Sequence, residues 1–162
     1  MANKLPVTMA LRALDAVHAK YEARTYPFVM HGGTEQAARE LGLDHHATIK
    51  TIILEDDAKK PFVCLMHGDK EISVKQLARI IGVKSVNTCA VEVAQRHSGY
   101  LVGGTSPFGT RKRMKVYVQE SIFALPEIYI NAGHRGVLVV ISPQVIRDVL
   151  GELVVPVDVA ID

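Results

Sequence analysis

Two cysteines, Cys64 and Cys89, are all that the 162 residues contain. That is too few for a disulfide framework, and each sits among apolar neighbours, as a buried free thiol in a reducing compartment would. Apolar runs long enough to cross a bilayer are missing, which argues against a membrane protein. Charge of one sign is scarce: the net charge is +2, so bulk charge does not announce a nucleic-acid binder. Arg12 and Asp15 break up the apolar N-terminal stretch, which predicts no secretory signal and, by default, a cytoplasmic location. There is no internal repeat, low-complexity tract or linker. The dinucleotide pattern G-x-G-x-x-G, a phosphate loop closed by G-K-[ST], and the G-x-S-x-G nucleophile elbow are absent too.

What is there is an ordinary globular composition, 48% hydrophobic and 22% charged. A chain of this size can bury roughly two thirds of its unfolded surface in one core, so its stability calls for neither metal nor cofactor. One domain spanning residues 1–162 is expected.

Leu11, Leu14, Val17 and Tyr21 recur at helical spacing behind Thr8, a side chain suited to an N-cap. An extended piece follows at Tyr26 to Val29. Gly32 and Gly33 then turn the chain, Thr34 can cap a second helix, and Gly42 suits its left-handed terminator near Leu41. Lys50 to Leu54 and PFVCLM, separated by EDDAKK, predict two strands of a hairpin. Ser73 and Gln76 have capping-box spacing before a third helix that Gly82 closes, and a short helix is expected over Val91 to Arg96. Beyond Gly99 the texture changes to loops and β-branched runs. Ser142 and Pro143 open a last helix that ends at Gly151, and VVPV supplies a terminal strand. The class is α/β: a single domain on a mixed, curved, barrel-like sheet with flanking helices.

Four places can carry chemistry. In GGTSPFG, Gly103 to Gly109, glycines let backbone approach a ligand while Pro107 fixes the loop, and bare amides there can bind an oxyanion; a tight surface loop looks the same. Lys50 interrupts an apolar strand, either snorkelling to the surface or holding a phosphate or developing oxyanion at a pocket rim. In AGHRG, His134 and Arg135 occupy a turn, where Arg135 can meet phosphate or carboxylate or simply form a structural ion pair. The basic run Arg111, Lys112, Arg113 and Lys115 reads from charge alone as a solvated loop. Metal binding has little support. Cys64 and His67 have C-x-x-H spacing, but on a strand they face opposite sides, and the adjacent His45 and His46 point apart. Ser106 or a cysteine with a histidine base remains a minority alternative.

Together, IKTIIL at 49–54, SGYLVGGTSPFGTRKRMKV at 98–116 and IYINAGHRGVLVVISPQVI at 128–146 resemble the YbaK/EbsC family of aminoacyl-tRNA deacylases, whose pattern is K-T-L, then T-G-Y-x-x-G-G-x-S-P-x-G, then G-x-R-G. The order and separations match, and the helix TEQAARELGL at 34–43 resembles the one that precedes the family's lysine. The resemblance implies an editing domain related to the insertion domain of bacterial prolyl-tRNA synthetases. It gives Lys50 an electrostatic role near the tRNA's terminal adenosine, and Gly103, Gly104, Thr105, Ser106 and Pro107 the cradling of the aminoacyl ester. Substrate contacts are implied for Tyr26, Ser98, Gly99, Tyr100, Gly133, His134, Arg135 and Gly136, and phosphate contacts for Arg111, Lys112, Arg113 and Lys115, whose affinity should depend on salt.

The implied function is trans-editing of mischarged tRNA, above all Cys-tRNA(Pro), with a synthetase as partner and no cofactor, metal, membrane or DNA. No protein nucleophile is then required: a cysteinyl thiol attacks its own ester, which would make the reaction a lyase step, or the tRNA ribose and water serve. Deacylation of another acyl group such as Ala or Ser, and a noncatalytic tRNA- or synthetase-binding module, are the alternatives. Two departures bear on them. Some family members carry an acid two places after R-G where this chain has Leu138, and His134 replaces the usual Lys, which would tie binding to pH near 6 to 7.

Overall fold

The computed structural model describes residues 5–162; Met1 to Lys4, part of the stretch on which the N-terminal reading rests, lie outside them. Thr8 caps the first helix, α1 (Met9–Ala16), its hydroxyl accepting from the Leu11 amide. The helix is shorter than its apolar spacing suggested. Val17 is its C-cap, and His18 takes a left-handed φ of 54°, which turns the chain before Tyr21. A strand follows, β1 (Glu22–Thr25), just upstream of the extended piece expected at Tyr26.

The second helix, α2 (Gly33–Leu41), is capped by Gly32 rather than Thr34 and closes at left-handed Gly42. Thr34 lies inside it, with its hydroxyl 3.0 Å from His45 Nε2. The hairpin is β2 (Ile49–Asp56) and β3 (Pro61–His67), antiparallel with Lys50 opposite Met66. Short β4 (Glu71–Ile72) leads into α3 (Val74–Ile81), where the Ser73 hydroxyl accepts from the Gln76 amide. The reciprocal half of a capping box is not made, because the Ser73 amide donates to Val159 O. After β5 (Val86–Thr88), α4 (Val91–Ser98) runs two residues past its expected end. A loop then leads to β6 (Val116–Gln119), β7 (Ile128–Asn131), β8 (Val137–Ile141), α5 (Gln144–Leu150), β9 (Val154–Val157) and β10 (Ala160–Ile161).

The strands form a five-stranded mixed sheet, β5-β2-β3-β6-β9, a three-stranded antiparallel sheet, β1-β8-β7, and the pair β10-β4. They do not close into a barrel. Instead a single bridge from Thr48 to Tyr129 hinges the two larger sheets together. Every residue of β3 is buried, as expected of a strand covered on both faces. On one face Val63 and Leu65 join Ile49 and Ile53 of β2, Ile128 and Ile130 of β7, Val137 and Val139 of β8, and Leu14 of α1. On the other, Phe62, Cys64 and Met66 pack with Leu54, and with Leu77 of α3. The period-two alternation of the strands thus makes two cores from one sheet. Where the two larger sheets diverge beyond their hinge, a cleft opens.

Candidate functional site

The cleft measures about 870 Å³. One wall is β2, from Ile49 to Ile53; the other is the loop at Val102, Gly103 and Thr105, with Asn131 of β7 and Leu138 of β8 beneath it. Val137 and Val139 point into the core, so the pleat turns Leu138 to the opposite face, where it is buried at 5% exposure, outside both core clusters. Asn131 is its cross-strand partner.

Lys50 belongs to a central strand, and its ammonium is neither free nor snorkelling into solvent. It donates to Lys70 O at 2.6 Å and to the Glu71 carboxylate at 3.2 Å, with the side chain 20% exposed. These partners are fixed from far along the chain. Glu71 and Ile72 pair with Ile161 and Ala160, Lys70 forms an ion pair with Asp162, and the Gln119 side chain accepts from the amides of Val159 and Ala160.

The opposing loop is irregular backbone held by side chains. Gln95 of α4 accepts from the Val102 amide, Arg135 Nε donates to Val102 O, and Asn131 Nδ2 donates to Gly103 O. Asn131 also accepts from the amides of Gly133 and His134, so a single amide side chain locks the 131–136 turn to the loop. Arg135 makes no ion pair among the described residues; its guanidinium lies 5.0 Å from the centre of the Phe28 ring. Gly103 has a φ of +93°, and a Cβ there would sit 2.8 Å from Phe28. The Gly104 amide is used within the loop, on Leu101 O, whereas among the described residues the Gly103 and Thr105 amides meet no acceptor.

Of the residues singled out from the sequence, Tyr26, Lys50, Gly103 and Thr105 line the cleft together. Gly104 and Pro107 are buried behind it. Ser106 is wholly buried with its hydroxyl on the Phe108 amide, which turns it away from nucleophilic work. Ser98 and Tyr100 are internal as well: the Ser98 hydroxyl accepts from the Tyr100 amide, and Tyr100 Oη donates to Phe108 O at 2.5 Å. Gly99, Gly133, His134 and Gly136 shape the supporting turns rather than the lining; His134 is exposed, its ring on Arg135 O. Arg111, Lys112, Arg113 and Lys115 are exposed and outside the cleft.

Sequence reasoning missed Asn131, although an Asn just before a Gly-flanked turn is a known signal for side-chain-to-backbone turn bonding. It also missed Thr51, for which no such signal exists: its hydroxyl is buried at the cleft without a hydrogen-bond partner among the described residues, a cost of about 1–3 kcal/mol when nothing compensates it.

Burial pushes the Cys64 thiol up to about 12, and burial together with the Glu55 carboxylate pushes Cys89, in the cleft wall, up to about 11. Neither is a ready thiolate near neutrality. His67, 1% exposed, is held below the ordinary histidine value, mainly by burial. Its ring stacks on His46 at 3.7 Å and is bonded to His46 O and Ser121 Oγ, while Cys64 packs in the second core. His45 turns the other way, to Thr34. Among the described residues no three His, Cys, Asp or Glu side chains converge as a metal set, and no helix is long and apolar enough to cross a membrane.

Comparison with known proteins adds to this geometry. The family described as "Aminoacyl-tRNA editing domain" matches residues 32–149. A protein of Enterococcus faecalis, provisionally named Cys-tRNA(Pro)/Cys-tRNA(Cys) deacylase EbsC, is 28% identical over 142 residues, covering 86% of this chain and 85% of its own. A proline–tRNA ligase of Stenotrophomonas maltophilia is 24% identical over 105 residues; the match takes in 63% of this chain but 18% of the ligase. The crystal structure of a provisionally assigned trans-editing enzyme for prolyl-tRNA synthetase superposes with a TM-score of 0.79 at 18% identity, covering 97% of this chain and all of that one. It has the same fold.

Proposed function

Because the chain belongs to the aminoacyl-tRNA editing domain family, we propose that it forms a single editing domain that deacylates mischarged tRNA in trans, with Cys-tRNA(Pro) as the leading substrate. The observation that carries this reading is the meeting of Lys50 and the Gly103–Thr105 loop across one cleft. These are the two segments that a reaction at an ester needs.

The aminoacyl ester lies between the walls. Its carbonyl oxygen gains negative charge when attacked, and the unused amides of Gly103 and Thr105 are the donors suited to it, in a site where water is displaced. Lys50 adds positive charge near the terminal ribose. The bonds to Lys70 O and Glu71 keep its ammonium in place, so little reorganisation is required as charge develops. Thr51 offers its unpaired hydroxyl to a polar group of the substrate, which would remove the penalty that the free protein carries.

The cleft's own thiol, Cys89, has its proton held too tightly to serve as nucleophile, and Ser106 is turned inward. The attacking group is therefore a water, a ribose hydroxyl or the substrate's own side chain. For a cysteinyl ester, the thiol sulfur bonds to the carbonyl carbon, the ester C–O bond breaks, and the ribose oxygen leaves with a proton. The freed amino acid identifies hydrolysis and a cyclic thioester identifies the lyase route.

The decisive assay follows release of labelled amino acid from Cys-tRNA(Pro), Ala-tRNA(Pro), Ser-tRNA(Pro) and Pro-tRNA(Pro), with a prolyl-tRNA synthetase present or absent. We expect selective loss of the mischarged species, and a fall of about a hundredfold or more in Lys50→Ala, the scale of losing one preorganised electrostatic group. Leu138 favours a second reading, a noncatalytic tRNA-binding module, because it puts an apolar side chain in the cleft at the position where some family members carry an acid. Tight tRNA binding with no release from any substrate would select that reading.

A further inference from the structure

Four basic residues cluster in the sequence between Arg111 and Lys115, but in the fold they are not equivalent. Arg113 forms an ion pair with Glu152 at 2.7 Å, and the Lys115 ammonium lies on Glu152 O. Arg111 and Lys112 make no ion pair among the described residues. Their backbone amides are fixed on the carbonyls of Ser98 and His97 at the end of α4. This sets Lys112 beside His97, which Arg96 precedes in the chain, and His97 is held below its ordinary value by burial and by these two charges, Lys112 before Arg96. Glu55 opposes them there but is itself paired with Lys59. Arg96, Arg111 and Lys112 thus gather at the end of α4, and none of the three makes an ion pair among the described residues.

Between this group and the cleft lies the segment from Gly99 to Gly103. Its backbone is held at Val102 by Gln95 and Arg135, and at Gly103 by Asn131, yet Leu101 is 57% and Val102 42% exposed. A fixed apolar ledge that stays in solvent, with a catalytic-type cleft on one side and free cations on the other, fits a flexible polyanion that carries flat apolar faces. Single-stranded nucleic acid has that chemistry: bases pack on the ledge and phosphates meet the cations.

We propose that the unpaired 3′ end of the RNA leaves the cleft over Leu101 and Val102 and meets Arg96, Arg111 and Lys112 with its phosphates, while Arg113 and Lys115 serve the fold. This rests on the deacylase reading for the identity of the RNA, and adds the direction in which the strand runs. The test uses the full chain and uncharged RNA, so binding is read apart from turnover. A fluorescent hairpin with a four-nucleotide 3′ overhang is titrated at several salt concentrations. Arg96→Gln/Arg111→Gln/Lys112→Gln should bind about tenfold more weakly, with a log–log salt slope shallower by about 2, the sum of three single-strand contacts. Arg113→Gln/Lys115→Gln should keep the wild-type slope. The wild-type protein should prefer the overhang hairpin to a blunt one, which needs no variant to fold, and Leu101→Asp should erase much of that preference.

Equal binding of blunt and overhang hairpins, an unchanged slope in the triple variant, or the same loss in the Arg113/Lys115 variant would overturn the proposal. Failure of deacylation with these binding results intact would sink the enzyme reading and leave the RNA path standing.

Discussion

The two walls of the cleft are built in opposite ways. The β2 wall is a strand whose backbone is fixed by its ladder to β3 from Ile49 to Glu55, and to β5 only beyond it at Leu54 to Asp56, so Lys50 and Thr51 can vary chemically without moving it. The loop wall has no ladder. Its position rests on Gln95, Asn131 and Arg135, three side chains reaching from α4, β7 and a turn. A substitution on the strand wall should change chemistry at constant geometry, and one behind the loop wall should change geometry at constant chemistry.

Gly104→Ala strains that contrast hardest. A Cβ at Gly104 would lie 2.8 Å from the Arg135 backbone nitrogen, so loop and turn must part. We expect single-turnover deacylation to fall about a hundredfold, the cost of roughly an ångström of misplacement, with helix content unchanged by circular dichroism. Asn131→Ala should be milder, about tenfold in kcat with about 1 kcal/mol of stability lost, because the turn keeps its glycines; Asn131→Asp, which cannot donate to Gly103 O, should resemble it. If both leave kcat intact, the loop is not positioned by that turn.

On the strand wall, Thr51→Val keeps shape and removes the unpaired hydroxyl. The protein should become about 1 kcal/mol more stable in urea, the reverse of the loop-wall outcome, while substrate binding weakens. The smallest effect lies outside both walls. His67 has its pKa lowered in the fold, so between that value and the ordinary 6.5 the unfolded chain binds the proton and the native one does not. Its contribution is fully present above about pH 6.5 and is lost as pH falls below it. Urea midpoints at pH 7.5, 6.0 and 5.0 should decline for the wild type and decline less for His67→Gln.

The same contrast explains what the sequence could disclose. Elements whose side chains alternate or recur on one face were legible: the Lys50–Leu54 hairpin, α3 behind Ser73, α5 and β9. Helix ends were less so. Thr34 was expected to cap α2, but the cap is Gly32, two residues earlier, and Thr34 bonds across to His45, a partner that no local pattern announces. Lys50 and the Gly103–Thr105 loop were legible as candidates because a cation in an apolar strand and a double glycine break local rules. Their partners were not: the hold of Lys70 O on Lys50, and of Asn131 on Gly103, are contacts between segments distant in sequence. Spacing likewise could not divide Arg111 and Lys112 from Arg113 and Lys115, since Glu152 makes that division from 39 residues beyond Arg113.

The brace under Lys50 also bears on when the cleft can exist during synthesis. Lys50 and the loop facing it are translated well before Ala160 and Ile161, yet those two residues are what give Glu71 and Ile72 a strand to pair with. A ribosome-bound chain whose 160–161 segment is still in the exit tunnel can form the hairpin and much of the first core while the lysine's seat stays unmade. The seat of Lys50 thus waits on residues 160–161, and fragments ending before residue 160 should fold in part without it.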